Sequence, residues 1–384
     1  MMSCVTFSME SAGLYLHIPF CRRKCVYCDF YSLENREDER DRFVNALIGE
    51  IRTCVWPGPY HFDTVFFGGG TPSLLEPGQL ESILRALADR WTITEEAELT
   101  LEANPGEISL EKLKAFRGLG INRISLGIQS FHETHLAFLT RIHDSADGFQ
   151  AIQWAQTAGF DNINGDLIFH LPGQTLADWE RDLRRLLSLG LTHISAYSLT
   201  VEPGTPLWTK VQHGRVTLPP DELSVAMMDR TREILNEGGM TAYEISNYAR
   251  DGFACRHNLH YWRMEPYLGL GPSAHSYDGE RRRRNVRNLD SYFKTVTQEA
   301  SPIEQVEILS ERDRINERLG FGIRLSEGAD LSFIPENDKR KVDRQIERVM
   351  EKWPDCLIRT PERLQLTVYG RRFADAIAVD LFLD

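Results

Sequence analysis

Short apolar, β-branched runs return along the first two thirds of the chain, with helical periodicity between them. The strand-like runs are 14–18, 63–67, 98–102, 123–128, 161–168, 193–199 and 242–245. Helix-like stretches lie at 77–88, 110–116, 146–158, 176–189 and 221–237. Strand and helix alternating at this spacing predict parallel βα units. Most of the strand-like runs lack strict polar alternation, as expected when both faces of a sheet are covered. About six such units fit a partial or full (β/α) barrel, whose chemistry lies at the carboxyl ends of its strands. The pattern does not separate a closed barrel from an open one.

The texture changes after 248. Residues 250–290 are rich in Gly, His, Asn, Tyr and Arg with little helical period, and read as irregular structure that carries a site or crosses one edge of the barrel. Beyond them, 302–319 and 339–351 read as helical, 356–366 as a short hairpin and 368–383 as a closing amphipathic helix. The expected organisation is an α/β core over 1–249, a site-associated segment and linker over 250–299, and a small α+β winged-helix-like domain over 300–384.

Composition narrows the function. The chain carries 44 Lys and Arg against 56 Asp and Glu, a formal charge of -12. That balance argues against non-specific binding to nucleic acid or to an anionic membrane surface. No apolar run approaches the roughly 20 residues of a membrane helix, and 1–13 contains no basic residue, so neither a span nor a secretory signal is expected. The seven cysteines include three within eight residues, a distribution that suggests metal ligation in a reducing compartment, with the cytoplasm as the expected location.

Cys21, Cys25 and Cys28 follow the first strand in Cys-x3-Cys-x2-Cys spacing. Thiolates are soft ligands suited to iron–sulfur clusters or zinc. A structural zinc wants a fourth protein ligand, and none follows at close spacing. A 4Fe-4S cube on three cysteines leaves one iron open to an exogenous chelator. Buried small hydrophobes are the remaining reading. Arg22, Arg23 and Lys24 would offset the negative charge of the thiolates.

The run Tyr15-Leu-His-Ile-Pro-Phe-Cys21-Arg-Arg-Lys-Cys25-Val-Tyr-Cys28 resembles the signature of radical S-adenosylmethionine enzymes. More narrowly, the chain is similar to the oxygen-independent coproporphyrinogen III oxidase family and to its heme chaperone branch, from Tyr15 to the last helix. The resemblance implies a partial (β/α)6 barrel and a 4Fe-4S cluster on Cys21, Cys25 and Cys28. Its open iron would chelate the amino and carboxylate groups of S-adenosylmethionine, which an electron from the cluster cleaves to methionine and a 5′-deoxyadenosyl radical.

The remaining motifs are weaker when read singly. Gly68-Gly69-Gly70-Thr71 ends the second strand and does not match a phosphate loop; a ligand-free turn is the competing reading. Glu102 closes the third strand, and a cap or solvated acid would look the same. The resemblance implies that Gly69, Gly70 and Thr71 contact the methionine amino group and that Glu102 is a further cofactor contact. Arg141 would pair with the cofactor carboxylate, Gln129 and Asp166 would contact its sugar or amino-acid part, and Tyr15 and Tyr27 would pack beside cluster and adenine.

Two features separate the branches. The oxidase has a further cysteine two residues after the third cluster ligand, where this chain has Phe30. The stretch Cys255-Arg-His257-Asn258-Leu-His260-Tyr261-Trp262 contains a His-Asn-x-x-Tyr-Trp run that resembles the chaperone branch. Imidazole and thiolate both ligate heme iron. His257, Asn258, Tyr261 and Trp262 are therefore expected to associate with heme, with Cys255 and His260 as secondary candidates and packed aromatics with hydrogen-bonded histidines as the alternative. The usual shared pattern has Gly where Ser273 stands, and His275 follows it. Arg281–Arg284 with Arg287 form the one dense basic run, read as a solvated face or as a site for propionates or an acidic partner.

The resulting expectation is a heme chaperone holding a 4Fe-4S cluster, S-adenosylmethionine and heme. Its partners would be a heme acceptor such as a respiratory hemoprotein, an electron donor and a second copy in a homodimer; peripheral contact with a membrane-bound partner is also open, and nucleic acid is not expected. The enzymatic alternatives are coproporphyrinogen III oxidase or another tetrapyrrole enzyme of the superfamily. A regulator sensing iron or heme through the C-terminal unit is the third class.

Overall fold

A computed structural model describes residues 10–58 and 60–383. Six strands alternate with helices: β1 (Glu10–Ile18), β2 (Tyr60–Gly69), β3 (Ile93–Ala103), β4 (Arg123–Gln129), β5 (Asn162–Phe169) and β6 (His193–Ser198). They run parallel, each hydrogen-bonded to the next in chain order. All seven residues of β4 are buried, which is why its sequence lacks a polar alternation. Helices α1 (Arg40–Thr53), α2 (Pro77–Arg90), α3 (Leu110–Gly118), α4 (Glu133–Phe138), α5 (Ser145–Thr157) and α6 (Leu176–Ser188) connect them. In α6, Trp179, Leu183 and Leu186 recur at helical spacing and are buried, and Thr175 with Asp178 forms a capping box at its start.

The sheet does not close. After α7 (Pro206–Gln212) and α8 (Asp221–Glu237), the short strands β7 (Thr241–Ala242) and β8 (Asn247–Ala249) form an antiparallel pair on the β6 side. The strand expected at 242–245 is therefore corrected: only Ala242 lies in a strand, and 243–246 form the bend between β7 and β8. On the other side, β9 (Tyr267–Leu270) joins β1 in parallel. It is extended by β10 (His275–Tyr277), β11 (Arg281–Asn285) and, after α10 (Leu289–Thr297), β12 (Ile303–Ile308), all antiparallel. The result is one open sheet of twelve strands.

Two expectations are corrected here. The stretch 250–290 is not irregular: it holds α9 (Arg256–Trp262) and three strands. Residues 303–308 form an edge strand exposed on both faces, and helix begins only at α11 (Glu311–Gly322). Ser273 takes φ 65°, a left-handed conformation that glycine adopts more readily.

The C-terminal unit packs α11, α12 (Glu336–Lys352) and α13 (Ala374–Asp380) on a small sheet of β13 (Ala329–Asp330), β15 (Arg363–Leu366) and β14 (Leu357–Arg359). Ile315, Leu319, Val342, Ile346, Leu364 and Ile377 give it a core of its own. The hairpin expected at 356–366 is present; the closing helix is shorter than expected, a 3-10 turn at Gly370–Phe373 followed by α13. Arg282 and Glu317 join this unit to the main sheet through two hydrogen bonds of 2.9 and 2.7 Å.

Candidate functional site

The segment after β1 is a closed loop. A bridge between Phe20 and Leu33 brings its ends together, and the Cys21 N–H donates to the Leu33 carbonyl at 3.0 Å. Val26 anchors the middle: its N–H donates to Thr140 Oγ1 at 3.1 Å, and its carbonyl accepts from the Leu207 N–H at 2.9 Å. Cys21, Cys25 and Cys28 consequently line one cavity of about 420 Å3 at the carboxyl ends of the parallel strands. Thr71 Oγ1 donates to Cys21 Sγ at 3.5 Å and Arg141 Nη1 to Cys25 Sγ at 3.3 Å. Burial pushes the Cys21 thiol up and the Cys28 thiol to about 11, so deprotonation here calls for positive charge nearby.

Among the described residues, no three Cys, His, Asp or Glu side chains are grouped to hold a metal ion. An iron–sulfur cube takes each thiolate on a different iron. Three cysteines lining one cavity are the donor set that a 4Fe-4S cube with one open iron would take.

The wall of the same cavity gathers Gly69, Gly70, Thr71, Glu102, Gln129, Arg141 and Asp166 from the ends of β2 to β5 and the loop beyond β4, with Tyr27 from the cysteine loop. Tyr27 packs on Leu139, Ile168, Leu171 and Leu199. Gly70 admits no side chain: a Cβ there would lie 2.6 Å from the Phe20 carbonyl oxygen and 2.8 Å from that of Ile18. The Gly69 N–H donates to Glu102 Oε2 at 3.1 Å. Burial, then the neighbouring charge of Asp166, raises the Glu102 carboxyl to about 8. Burial also raises Asp166, against hydrogen bonds from Asn164 (2.8 Å) and Ser125 (3.2 Å). Gln129 sits at φ 66° where β4 ends, the kind of strained backbone that gathers at ligand sites.

Sequence reading passed over Asn104 and Gly127. Asn104 Nδ2 donates to Thr71 Oγ1 at 3.0 Å, and its Oδ1 accepts from Arg141 Nη2, so it couples two expected contacts. Gly127 clears the path of Arg141: a Cβ would lie 3.2 Å from Nη2, whose other bond is to the Gly127 carbonyl at 2.9 Å. A glycine inside an apolar strand was the available signal. The Arg141 Nε is buried and has no hydrogen-bond partner among the described residues.

Tyr15 does not reach this cavity. Its ring stacks on Phe66 and His257, and its hydroxyl lies 3.1 Å from His17 Nδ1. The expected heme-associated residues are also elsewhere, on and just before α9, which packs against β1 and β2 and bonds Asp63, Thr64 and Glu98 in the first halves of β2 and β3. Glu98 accepts from the Arg256 and His257 N–H groups at 3.0 and 3.2 Å and from Cys255 Sγ at 3.4 Å. His257 is 1% exposed, with Nδ1 2.8 Å from Thr64 Oγ1 and Nε2 2.8 Å from the Tyr261 hydroxyl. Both its nitrogens are engaged, which leaves none for iron in this conformation. Cys255 is fully buried, His260 pairs with Asp63 and Glu265, Asn258 is half-buried, and Trp262 packs against Phe321 and under Arg324.

The profile of the radical SAM superfamily matches residues 15–186. The heme chaperone HemW of Bacillus subtilis is 37% identical over 340 residues, spanning 87% of this chain and 88% of its own. The chain belongs to the radical SAM superfamily, in the HemW branch. It is also similar to the mitochondrial radical S-adenosyl methionine domain-containing protein 1 of Bos taurus, 36% identical over 83% of this chain and 74% of that one. The fold matches coproporphyrinogen III oxidase (HemN) of Escherichia coli, with a TM-score of 0.84 at 22% identity, covering 97% of this chain and 90% of the other. The radical SAM α/β core is thus shared with that enzyme, followed by the C-terminal helices and strands. Among the described residues no helix is long and apolar enough to cross a membrane.

Proposed function

We propose that this protein is a heme chaperone that holds a 4Fe-4S cluster and S-adenosylmethionine in the cavity at the strand ends and passes heme to an acceptor protein. One observation carries the reading: the cavity gathers the three cysteines and eight of the nine expected cofactor residues, all but Tyr15, in a chain that aligns over most of its length with proteins named heme chaperones. When bound, the cluster supplies the electron that can cleave S-adenosylmethionine. The chain's own residues bind and orient. Arg141, with a buried unpartnered Nε, offers a charge-assisted contact to a carboxylate. Glu102 and Asp166 share a buried corner in which one proton relieves their repulsion. Tyr27 and Ile168 supply an apolar wall for adenine.

Phe30 stands 64% exposed at the rim, where the oxidase resemblance would require cysteine. An apolar rim side chain suits docking of a macrocycle better than a further redox group. The recipient is proposed to be a respiratory hemoprotein met in the cytoplasm or at its membrane face, with an electron donor as second partner and a homodimer as the working form.

The test uses one anaerobic preparation for two measurements. Chemical analysis should give about four irons and matching sulfide per chain, and hemin titration should give a saturable Soret change with no coproporphyrinogen turnover. One zinc without sulfide ends the cluster reading. Turnover without heme binding replaces the chaperone with the oxidase.

A further inference from the structure

A second hollow, of about 370 Å3, lies on the other side of the cysteine loop, and Asp29 and Phe30 line both. Its walls are aromatic: Tyr15, Tyr31, Tyr261 and Tyr267 face it together with Phe30. Tyr261 and Tyr267 meet edge to face at 4.6 Å. Their hydroxyls do not dominate the surface, since that of Tyr261 is held by His257 and that of Tyr31 accepts the Leu289 N–H at 2.8 Å. Such rings favour a flat, apolar, conjugated guest.

Two polar groups at this hollow are uncommitted. His275, on β10, is exposed, and its imidazole makes no hydrogen bond to a described residue. The three other histidines near it are spoken for: His17 bonds the Tyr31 carbonyl at 2.7 Å, and His257 and His260 are buried and paired. Partial desolvation of the ring, then the charges of Arg284 and Arg282, lower the His275 pKa and favour the neutral imidazole that ligates metal. The basic run divides the same way. Arg282, Arg283 and Arg284 pair with Glu317, Asp278 and Glu304. Arg287 has no carboxylate partner among the described residues; it is exposed and lies over the Tyr31 ring at 5.7 Å.

We propose that this hollow is the heme site, with His275 as the iron ligand, Arg287 as the anchor for a propionate, and Phe30 as the wall between heme and the S-adenosylmethionine cavity. The inference rests on the heme chaperone reading and names its cargo site. A neutral imidazole is a competent axial ligand, and a guanidinium matches a carboxylate bidentately. The hollow is too shallow to enclose a tetrapyrrole, so one edge of the guest stays in solvent, where a recipient can take it. The α9 residues contribute from behind: Tyr261 presents its ring face, fixed there by His257.

The test is hemin titration of the full, cluster-loaded chain, followed by its Soret band. His275→Ala should bind hemin at least tenfold more weakly with a shifted Soret maximum, and millimolar imidazole should restore the wild-type band in His275→Gly. Arg287→Ala should lose severalfold for hemin and nothing for hemin dimethyl ester, which has no free propionate. Both residues are exposed, so unchanged iron content and circular dichroism will show that the variants fold. A wild-type spectrum and affinity in His275→Ala overturn this site while leaving the chaperone reading in place. No hemin binding by the wild type overturns both.

Discussion

Arg141 donates from Nη1 to the sulfur of Cys25 at 3.3 Å, tying the loop beyond β4 to a cysteine 116 positions earlier. The same guanidinium bonds Asn104 and the Gly127 carbonyl, so its position is set from three sides while Nε stays unpartnered. A cation held this way is prepared for an anion at little ordering cost.

Replacing it separates two functions. Arg141→Ala should lower S-adenosylmethionine affinity at least tenfold, roughly 1.4 kcal/mol, with iron and sulfide content unchanged. Gly127→Ala should produce a similar loss with the charge still present, because its Cβ crowds Nη2. Equilibrium binding on the reconstituted protein reads both, and loss of iron in Arg141→Ala would instead make that side chain part of the cluster's support.

Glu102 makes stability fall as pH rises. Its folded carboxyl titrates near 8, well above the 4.5 of a free carboxyl. Between those values the folded chain holds a proton that the unfolded chain has released. Its stabilising contribution is complete below about pH 4.5 and gone above about 8. Thermal melts of the apoprotein from pH 5 to 9 should decline more steeply in wild type than in Glu102→Gln. Parallel curves would place the proton elsewhere in the corner.

His260 works with the opposite partner chemistry. Burial opposes its protonation, yet Asp63 at 2.7 Å and Glu265 at 2.8 Å overcome it and hold the ring near pKa 9. The ion pairs are complete below about pH 6.5 and lost as pH rises through 9. His260→Asn should destabilise the protein by about 2–3 kcal/mol at pH 6, with the difference shrinking above pH 9. A pH-independent loss would point to packing alone.

The strand-end chemistry was legible because each motif closes a βα unit. Gly69, Gly70, Glu102, Gln129 and Asp166 follow apolar runs long enough to announce a strand, and parallel topology then gathers their ends. The region after 250 was harder. The strands β9 to β11 have three to five residues each, and β11 is mostly arginine, so no period forms. The run Ile303–Ile308 was read as helix because an edge strand exposed on both faces carries no buried stripe. For His257 the sequence left heme association and a hydrogen-bonded, packed histidine both open, because its partner Thr64 lies 193 positions away and nothing local shows that the ring is buried and satisfied.

The carboxylate of Glu98 and the guanidinium of Arg123 lie buried in the barrel's interior, and the groups that settle Glu98 there come from residues 255–257. A nascent chain that stops short of these residues strands that carboxylate without its hydrogen-bond donors. The interior of the parallel sheet is therefore completed by residues 157–159 positions further along the chain than the carboxylate they satisfy.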